Sequence, residues 1–261
     1  MEENISKINW YDDLCKYYDV SPARAMLLSE RKTGRRPDFP GSPTCEPLSG
    51  MNWEELWDCK PRETLQQKME FYNEIGAWQA FRQCNYRKDF PFGFFYNNFT
   101  RLGDHILEYG AGVCPFANAF LEVNETPCYR YSFVEVECEH YRFGKWRLGK
   151  KSPQTQLNFF TVDHNQPVPD FSIVNKFDFV TMLDVLEHLP NPLDVIHNVE
   201  AHTNPGGYLL ETWVEHDHEK GPSHSDLQEA EDQREDVFKF IKSKYSMIAE
   251  PISGYRVWKK N

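Results

Sequence analysis

The stretch that decides the fold is Ile106-Leu-Glu-Tyr-Gly-Ala-Gly-Val-Cys-Pro115. An apolar run takes in an acid and closes on two glycines, and a segment suited to helix, Phe116–Val123, starts directly after it. Continuous apolar character over so few residues marks a strand covered on both faces. Glycines at the carboxyl end of such a strand allow a tight turn and let the backbone approach a ligand closely. GxG alone also suits an ordinary strand-to-helix turn, so its meaning depends on its surroundings.

Working outward, four more apolar runs follow: Tyr131–Glu137, Asn158–Asp163, Phe177–Val185 and Gly207–Val214. With His105–Gly110 they make five strands, separated in most intervals by helical segments (Phe116–Val123, Glu139–Leu148, Asn191–Thr203). Alternation of this kind implies a parallel sheet with right-handed crossovers. After a polar stretch, Gln228–Lys244 reads as helix. Ser246–Pro251 and Gly254–Lys260 then read as a closing hairpin. The expectation is an α/β domain over residues 101–261: a Rossmann-like, seven-stranded, mostly parallel sheet with helices on both faces and an antiparallel last strand.

Residues 1–100 have a different texture. Asn9–Val20 and Pro22–Lys32 suit short helices, the second capped by Ser21 with proline at its first position. Thr33–Gly50 holds four prolines and three glycines in eighteen residues, which blocks regular structure. Asn52 caps a short helix over Trp53–Cys59, and a longer one runs from Arg62 to Tyr86 with Leu65, Met69, Tyr72, Ile75 and Trp78 in one stripe. This part reads as a mainly helical N-terminal cap, rich in aromatic residues, that covers the mouth of the site and helps select substrate.

Composition bounds the function. Apolar residues make up 40% of the 261, mean hydropathy is −0.68, and no run approaches the roughly 18 apolar residues of a spanning helix. The N-terminus lacks the apolar core of a secretory signal. A net charge of −11 argues against binding nucleic acid, which needs cations against phosphates. Seven cysteines (15, 45, 59, 84, 114, 128 and 138) form no CxxC pair, which reads as free thiols in a reducing, cytoplasmic setting.

Chemistry-bearing residues recur at strand ends. Glu108 stands two residues before Gly110. Glu135 and Glu137 stand near the end of the second strand, where a carboxylate can accept ribose hydroxyls. Asp163 ends the third, where an acceptor can meet an adenine amino group. The fourth runs through Leu183 and Asp184 into Glu187-His188, and Asn204-Pro-Gly-Gly207 turns the chain into the fifth. Beyond it stand Glu215, His216, Asp217, His218, Glu219, His224 and Asp226.

Taken in order, ILEYGAG, FVEVE, FTVD, FDFVTMLDVLEHL and NPGG make residues 105–214 resemble the class I S-adenosylmethionine-dependent methyltransferases, most of all the subgroup typified by ubiquinone-biosynthesis O-methyltransferases and their small-molecule relatives. The resemblance implies an enzyme that uses S-adenosylmethionine, releases S-adenosylhomocysteine and methylates a small-molecule acceptor at oxygen or nitrogen. It implies that Glu108 orients the cofactor's amino group and that Gly110 and Gly112 lie beneath its methionine portion. Glu135 then holds the ribose, with Glu137 as second choice, Asp163 stands near the adenine amino group, and Leu183 and Asp184 line the methyl region. His188, with Glu187 beside it, is the candidate general base, with a structural role as the alternative. The family often carries a third glycine where this chain has Cys114. No metal is expected. A metal-dependent reading would join Asp184, Glu187 and His188 to the histidines after the fifth strand, in partial likeness to small-RNA 2′-O-methyltransferases. Peptide methylation, a nicotinamide-dependent oxidoreductase and a methyltransferase-like binding protein remain as alternatives.

Overall fold

The computed structural model describes residues 11–21, 64, 66–67, 70–71, 79–84, 90–123, 129–151, 155–163, 165–213 and 226–261. The chain forms two compact units. The first comprises Met1–Phe95, Gly112–Pro127 and Glu137–Gln154; the second comprises Tyr96–Ala111, Cys128–Val136 and Thr155–Asn261.

The elements, in chain order, are α1 (Tyr11–Tyr18), α2 (Phe92–Phe99), β1 (His105–Tyr109), α3 (Pro115–Val123), β2 (Arg130–Val136), α4 (Glu139–Lys151), β3 (Gln156–Val162), β4 (Phe177–Leu183), a 3₁₀ turn (Leu186–His188), α5 (Pro192–Ala201), β5 (Thr203–Thr212), α6 (Gln228–Lys244), β6 (Tyr245–Ile252) and β7 (Tyr255–Lys260). All seven strands lie in the second unit, in one sheet of order β3-β2-β1-β4-β5-β7-β6. The first five pair in parallel. β7 pairs antiparallel with both β5 and β6. The chain winds outward from β1 to β3 and then restarts at β4 on the other side of β1. The carboxyl ends of β1 and β4 therefore flank the switch in winding, where open α/β sheets bind ligands.

The core of the second unit joins Leu107, Val180, Leu209 and Trp258 of the sheet to Ile196 and Val199 of α5 and Val237 and Ile241 of α6. Pro192 opens α5 where a missing N–H costs nothing. α6 carries Glu229 and Glu231 in its first turn and Lys242 and Lys244 in its last, matching the helix dipole. In the first unit, Tyr18 stacks near Phe81 and Phe143, and Phe90, Phe92 and Phe95 surround Phe116. Cys15, Cys84, Cys114 and Cys138 form no disulfide among the described residues. No helix among the described residues is long and apolar enough to cross a membrane.

Two readings of strands change. β3 is not covered on both faces: it lies at one edge of the sheet, and its residues are exposed or half-buried. Asn204–Gly207 lies within β5 as an insertion, because the register passes from Phe177↔Thr203 to Phe179↔Tyr208. Asn204 Nδ2 donates to Asp178 Oδ1 at 2.6 Å across that irregularity. The expected helices at 22–32 and 53–59, the connector at 33–50 and the stripe residues from Leu65 to Trp78 lie outside the described residues; within 62–86, residues 66–67, 70–71 and 79–84 are helical.

His105, only 2% exposed, ties the start of the sheet together. Its Nδ1 meets Asn175 O at 3.0 Å. A carbonyl only accepts, so Nδ1 carries the proton and Nε2 accepts from the Ser132 hydroxyl at 2.8 Å. Burial, with Arg130 adding to it, pushes the imidazole down to about 4. The folded state thus prefers neutral His105 and the unfolded chain does not. The stability this contributes is complete above the ordinary value of 6.5 and drains as pH falls toward about 4, at up to about 1.4 kcal/mol per pH unit. Thermal melts between pH 7 and 4.5 should decline accordingly, and NMR should find the His105 ring uncharged at about pH 5.5; a charged ring there would contradict the assignment.

Candidate active site

The site begins where β1 ends. Gly110 has φ of +66°, and a Cβ there would stand 2.2 Å from Val185 Cγ2. The N–H groups of Gly110 and Ala111 both donate to Val134 O, at 2.9 and 3.1 Å. A side chain at this position would suffer both left-handed strain and overlap. The glycine is demanded by the packing of strand ends even before a ligand is considered.

The expected acids of the second unit stand along adjacent strands. Glu108 is 2% exposed within β1, between Phe133 and Thr181 in the register. Glu135 is half-buried near the end of β2, and its Oε1 accepts from the Val136 N–H at 2.8 Å. Asp163 follows β3, exposed, with Oδ1 accepting from the Asn165 N–H at 2.7 Å. Leu183 is the half-buried last residue of β4. Asp184 next to it takes φ of +55°. Its N–H donates to Thr212 Oγ1 at 2.6 Å, and that hydroxyl donates back to Asp184 Oδ1 at 3.0 Å. This reciprocal pair holds a left-handed aspartate at the β4 end.

Glu137, the alternative ribose acid, is engaged in the first unit. Arg142 and Lys145 donate to it at 3.0 and 2.8 Å. Burial works to raise its carboxyl, but these hydrogen bonds outweigh burial and hold it below the usual carboxylate range.

Glu187 and His188 form the 3₁₀ turn after β4. The turn is pinned twice: the His188 N–H donates to Val185 O, and Glu187 O accepts from the Leu227 N–H at the start of α6, each at 2.9 Å. His188 is half-buried. Glu187 is 5% exposed, and its buried Oε2 has no hydrogen-bond partner among the described residues. Burial holds its carboxyl well above the usual range; a backbone hydrogen bond opposes this, and the charges of Asp184, Asp226 and Glu211 add to it. Glu211, absent from the expected site, is fully buried and solved differently. Arg256 donates to both its oxygens at 2.7 and 3.0 Å, and Trp258 Nε1 adds a third bond at 2.9 Å. The signal in sequence was an acid inside the apolar run GYLLETWV, but its partners became legible only through the β5–β7 pairing, which sets Glu211 opposite Arg256. The residues from Glu215 to His224 lie outside the described residues. Among the described residues no three His, Cys, Asp or Glu side chains stand close enough to hold a metal ion.

Gly112 belongs to the first unit, in the turn that opens α3. It has φ of +50°, and its missing Cβ would overlap Gln83 Oε1 at 2.3 Å; that oxygen also accepts from the Val113 N–H at 3.2 Å. Cys114, at the place of the family's third glycine, still takes a glycine-like φ of +54°. The close helix approach survives because the glycine is on the other side of the contact. A Cβ on Gly144 of α4 would stand 2.9 Å from the Val113 carbonyl carbon and 3.1 Å from Cys114 Sγ.

Residues 78–245 match the family model described as Methyltransferase domain. The chain belongs to that family. It is an S-adenosylmethionine-dependent methyltransferase of class I, an enzyme by family and fold. No curated protein matches it in sequence. Among solved structures it is similar to an O-methyltransferase family protein from Burkholderia thailandensis, at 11% identity, TM-score 0.56, covering 100% of this chain and 92% of that one. It is also similar to PigF, solved with SAH, at 11% identity and TM-score 0.56, over 97% of this chain and 70% of that one. At this identity the likeness speaks to the fold.

The state of Glu187 can be tested. A carboxyl raised in the folded protein contributes stability that is complete below its ordinary value of 4.5 and is lost as pH rises toward the folded value. Glu187→Gln removes that titration. Its melting temperature should match wild type near pH 4.5 and exceed it increasingly at neutral and alkaline pH; a constant difference across the range would refute a neutral Glu187.

Proposed function

We propose that this enzyme transfers the methyl group of S-adenosylmethionine to a small-molecule acceptor, at oxygen or nitrogen. The observation that carries the site assignment is the row of hydrogen-bond acceptors at neighbouring strand ends: Glu135, Asp163 and Asp184, on β2, β3 and β4 around the switch in winding. A nucleoside that presents ribose hydroxyls, an adenine amino group and an ammonium needs such acceptors. On this reading Glu135 receives the ribose hydroxyls, Asp163 serves the adenine amino group, and Glu108 orients the amino group of the methionine portion. Gly110 and Gly112 give that portion bare backbone, and Leu183 and Asp184 line the methyl region. The structural neighbour PigF, solved with SAH, supports the same choice of ligand. Residues 1–100, rich in aromatic side chains, are assigned to acceptor selection.

The bound sulfonium supplies an already activated methyl group, so the chain's contribution is in-line positioning and exclusion of water. His188 accepts the proton that an acceptor hydroxyl or ammonium gives up. It stands in a turn that follows β4 and is bonded to the start of α6, and being half-buried it can pass the proton to solvent. Glu187, held neutral beside it, adds no second negative charge to Asp184 in the methyl region.

Titration calorimetry with S-adenosylhomocysteine and, separately, with NADH tests the cofactor: heat of binding is expected with the first alone. Binding of NADH alone would overturn the reading. For the base, His188→Ala should lower kcat by roughly 10²–10⁴ and remove the acid limb of the pH–rate profile, while the Kd of S-adenosylhomocysteine stays near wild type. A variant that melts earlier but keeps its pH profile would make His188 structural.

A further inference from the structure

We propose that Asp13, far from the motif in sequence, is a positioning residue for the cofactor: through Arg147 and Asn118 it fixes the Val113–Cys114 end of the glycine turn. The inference rests on the assignment of that turn to the cofactor.

The relay is continuous and lies wholly within the first unit. Arg147 of α4 is 0% exposed and Asp13 of α1 is 5% exposed. Arg147 Nε donates to Asp13 Oδ2 at 2.8 Å, and Lys150 Nζ stands 3.5 Å from the other carboxylate oxygen. Arg147 Nη1 donates to Asn118 Oδ1 at 2.8 Å. A guanidinium can only donate, so this bond decides which way round the Asn118 amide lies. Its Nδ2 is thereby aimed at Val113 O and Cys114 O, at 2.9 and 3.0 Å. The Asn118 backbone N–H reaches the same Cys114 carbonyl at 3.0 Å.

These bonds act at a strained point. Cys114 is left-handed without being glycine, a state that persists only where the surroundings over-determine it. The amide of Asn118 and the bare Gly144 face of α4 are what over-determine it here. Gly144 and Arg147 are three residues apart and so share a face of α4. That helix meets the turn directly through the first and indirectly through the second.

Without Asp13 the buried guanidinium loses a buried counter-charge and must find another acceptor or water. Asn118 is then free to reverse its amide, which would point an oxygen at two carbonyls. The turn relaxes and the cofactor finds a less organised backbone.

The test is calorimetry with S-adenosylhomocysteine on the full chain, well below the melting temperature of each variant. Asp13→Ala should weaken binding about tenfold. Asp13→Asn, which still accepts from Arg147, should recover most of the loss. Asn118→Asp, which still accepts from Arg147 but cannot donate to the carbonyls, should lose at least as much as Asp13→Ala. An Asp13→Ala protein that melts earlier yet binds with wild-type Kd overturns the relay and leaves Asp13 structural. If Asn118→Asp also binds like wild type, the turn itself is not the cofactor's, and the reading beneath the relay falls with it. Should Asp13→Ala not fold, Arg147→Lys replaces it. Lysine keeps the charge but lacks the fork that bridges both acceptors, so a folded Arg147→Lys protein with wild-type affinity also overturns the proposal.

Discussion

The backbone at Gly110 fastens three strands of the sheet together. Its N–H and that of Ala111 share the Val134 carbonyl of β2, and the space of its missing side chain is filled by Val185, just past β4. The carboxyl ends of β1, β2 and β4 are thereby locked at one level. Since successive side chains on a strand point to opposite faces, a slip of one residue would reverse every one of them. Locking the level of the strands therefore also locks which acids project where: Glu108 in β1, Glu135 in β2, Asp184 after β4.

Around these ends the second unit meets the same electrostatic difficulty twice and answers it in two ways. Glu211 is fully buried, and Arg256 and Trp258 give its oxygens three hydrogen bonds. Glu187 is buried almost as deeply, but one of its oxygens has no hydrogen-bond partner among the described residues and carboxylates are its neighbours. A buried carboxylate without a partner is costly, and the cheaper solution is to keep the proton. The acid with three hydrogen bonds is Glu211, while Glu187 stands beside the proposed base. A group kept neutral by its surroundings responds to any ligand that changes the local charge.

The sequence carried most of the sheet. The run from Ile106 to Pro115 identified β1 and its turn, and the alternation beyond it produced the parallel order, because burial and crossover geometry are written in local apolar patterns. Edge position is not local, so Phe159 and Phe160 in β3 read like a buried strand although β3 is the border of the sheet. Nor is pairing across the hairpin: Arg256 could be matched to Glu211 only once β7 was placed beside β5. The engagement of Glu137 was likewise invisible in the run FVEVE, since its partners Arg142 and Lys145 stand on the following helix.

Cys114 shows why a motif is better read as a requirement on space than as a string of letters. What the turn needs is that a helix come close to it, and closeness is a property of two surfaces. A glycine on either surface supplies it. Here the turn bears a thiol, and the glycine is Gly144 on α4, thirty residues later, where a Cβ would collide with the Val113 backbone. The left-handed backbone that a third glycine would have adopted freely is kept at Cys114 by hydrogen bonds instead. Conformational freedom has been exchanged for constraint from outside the motif. That exchange makes the turn depend on Asn118, Arg147 and Asp13, and it draws α1, with no motif of its own, into the support of the glycine loop.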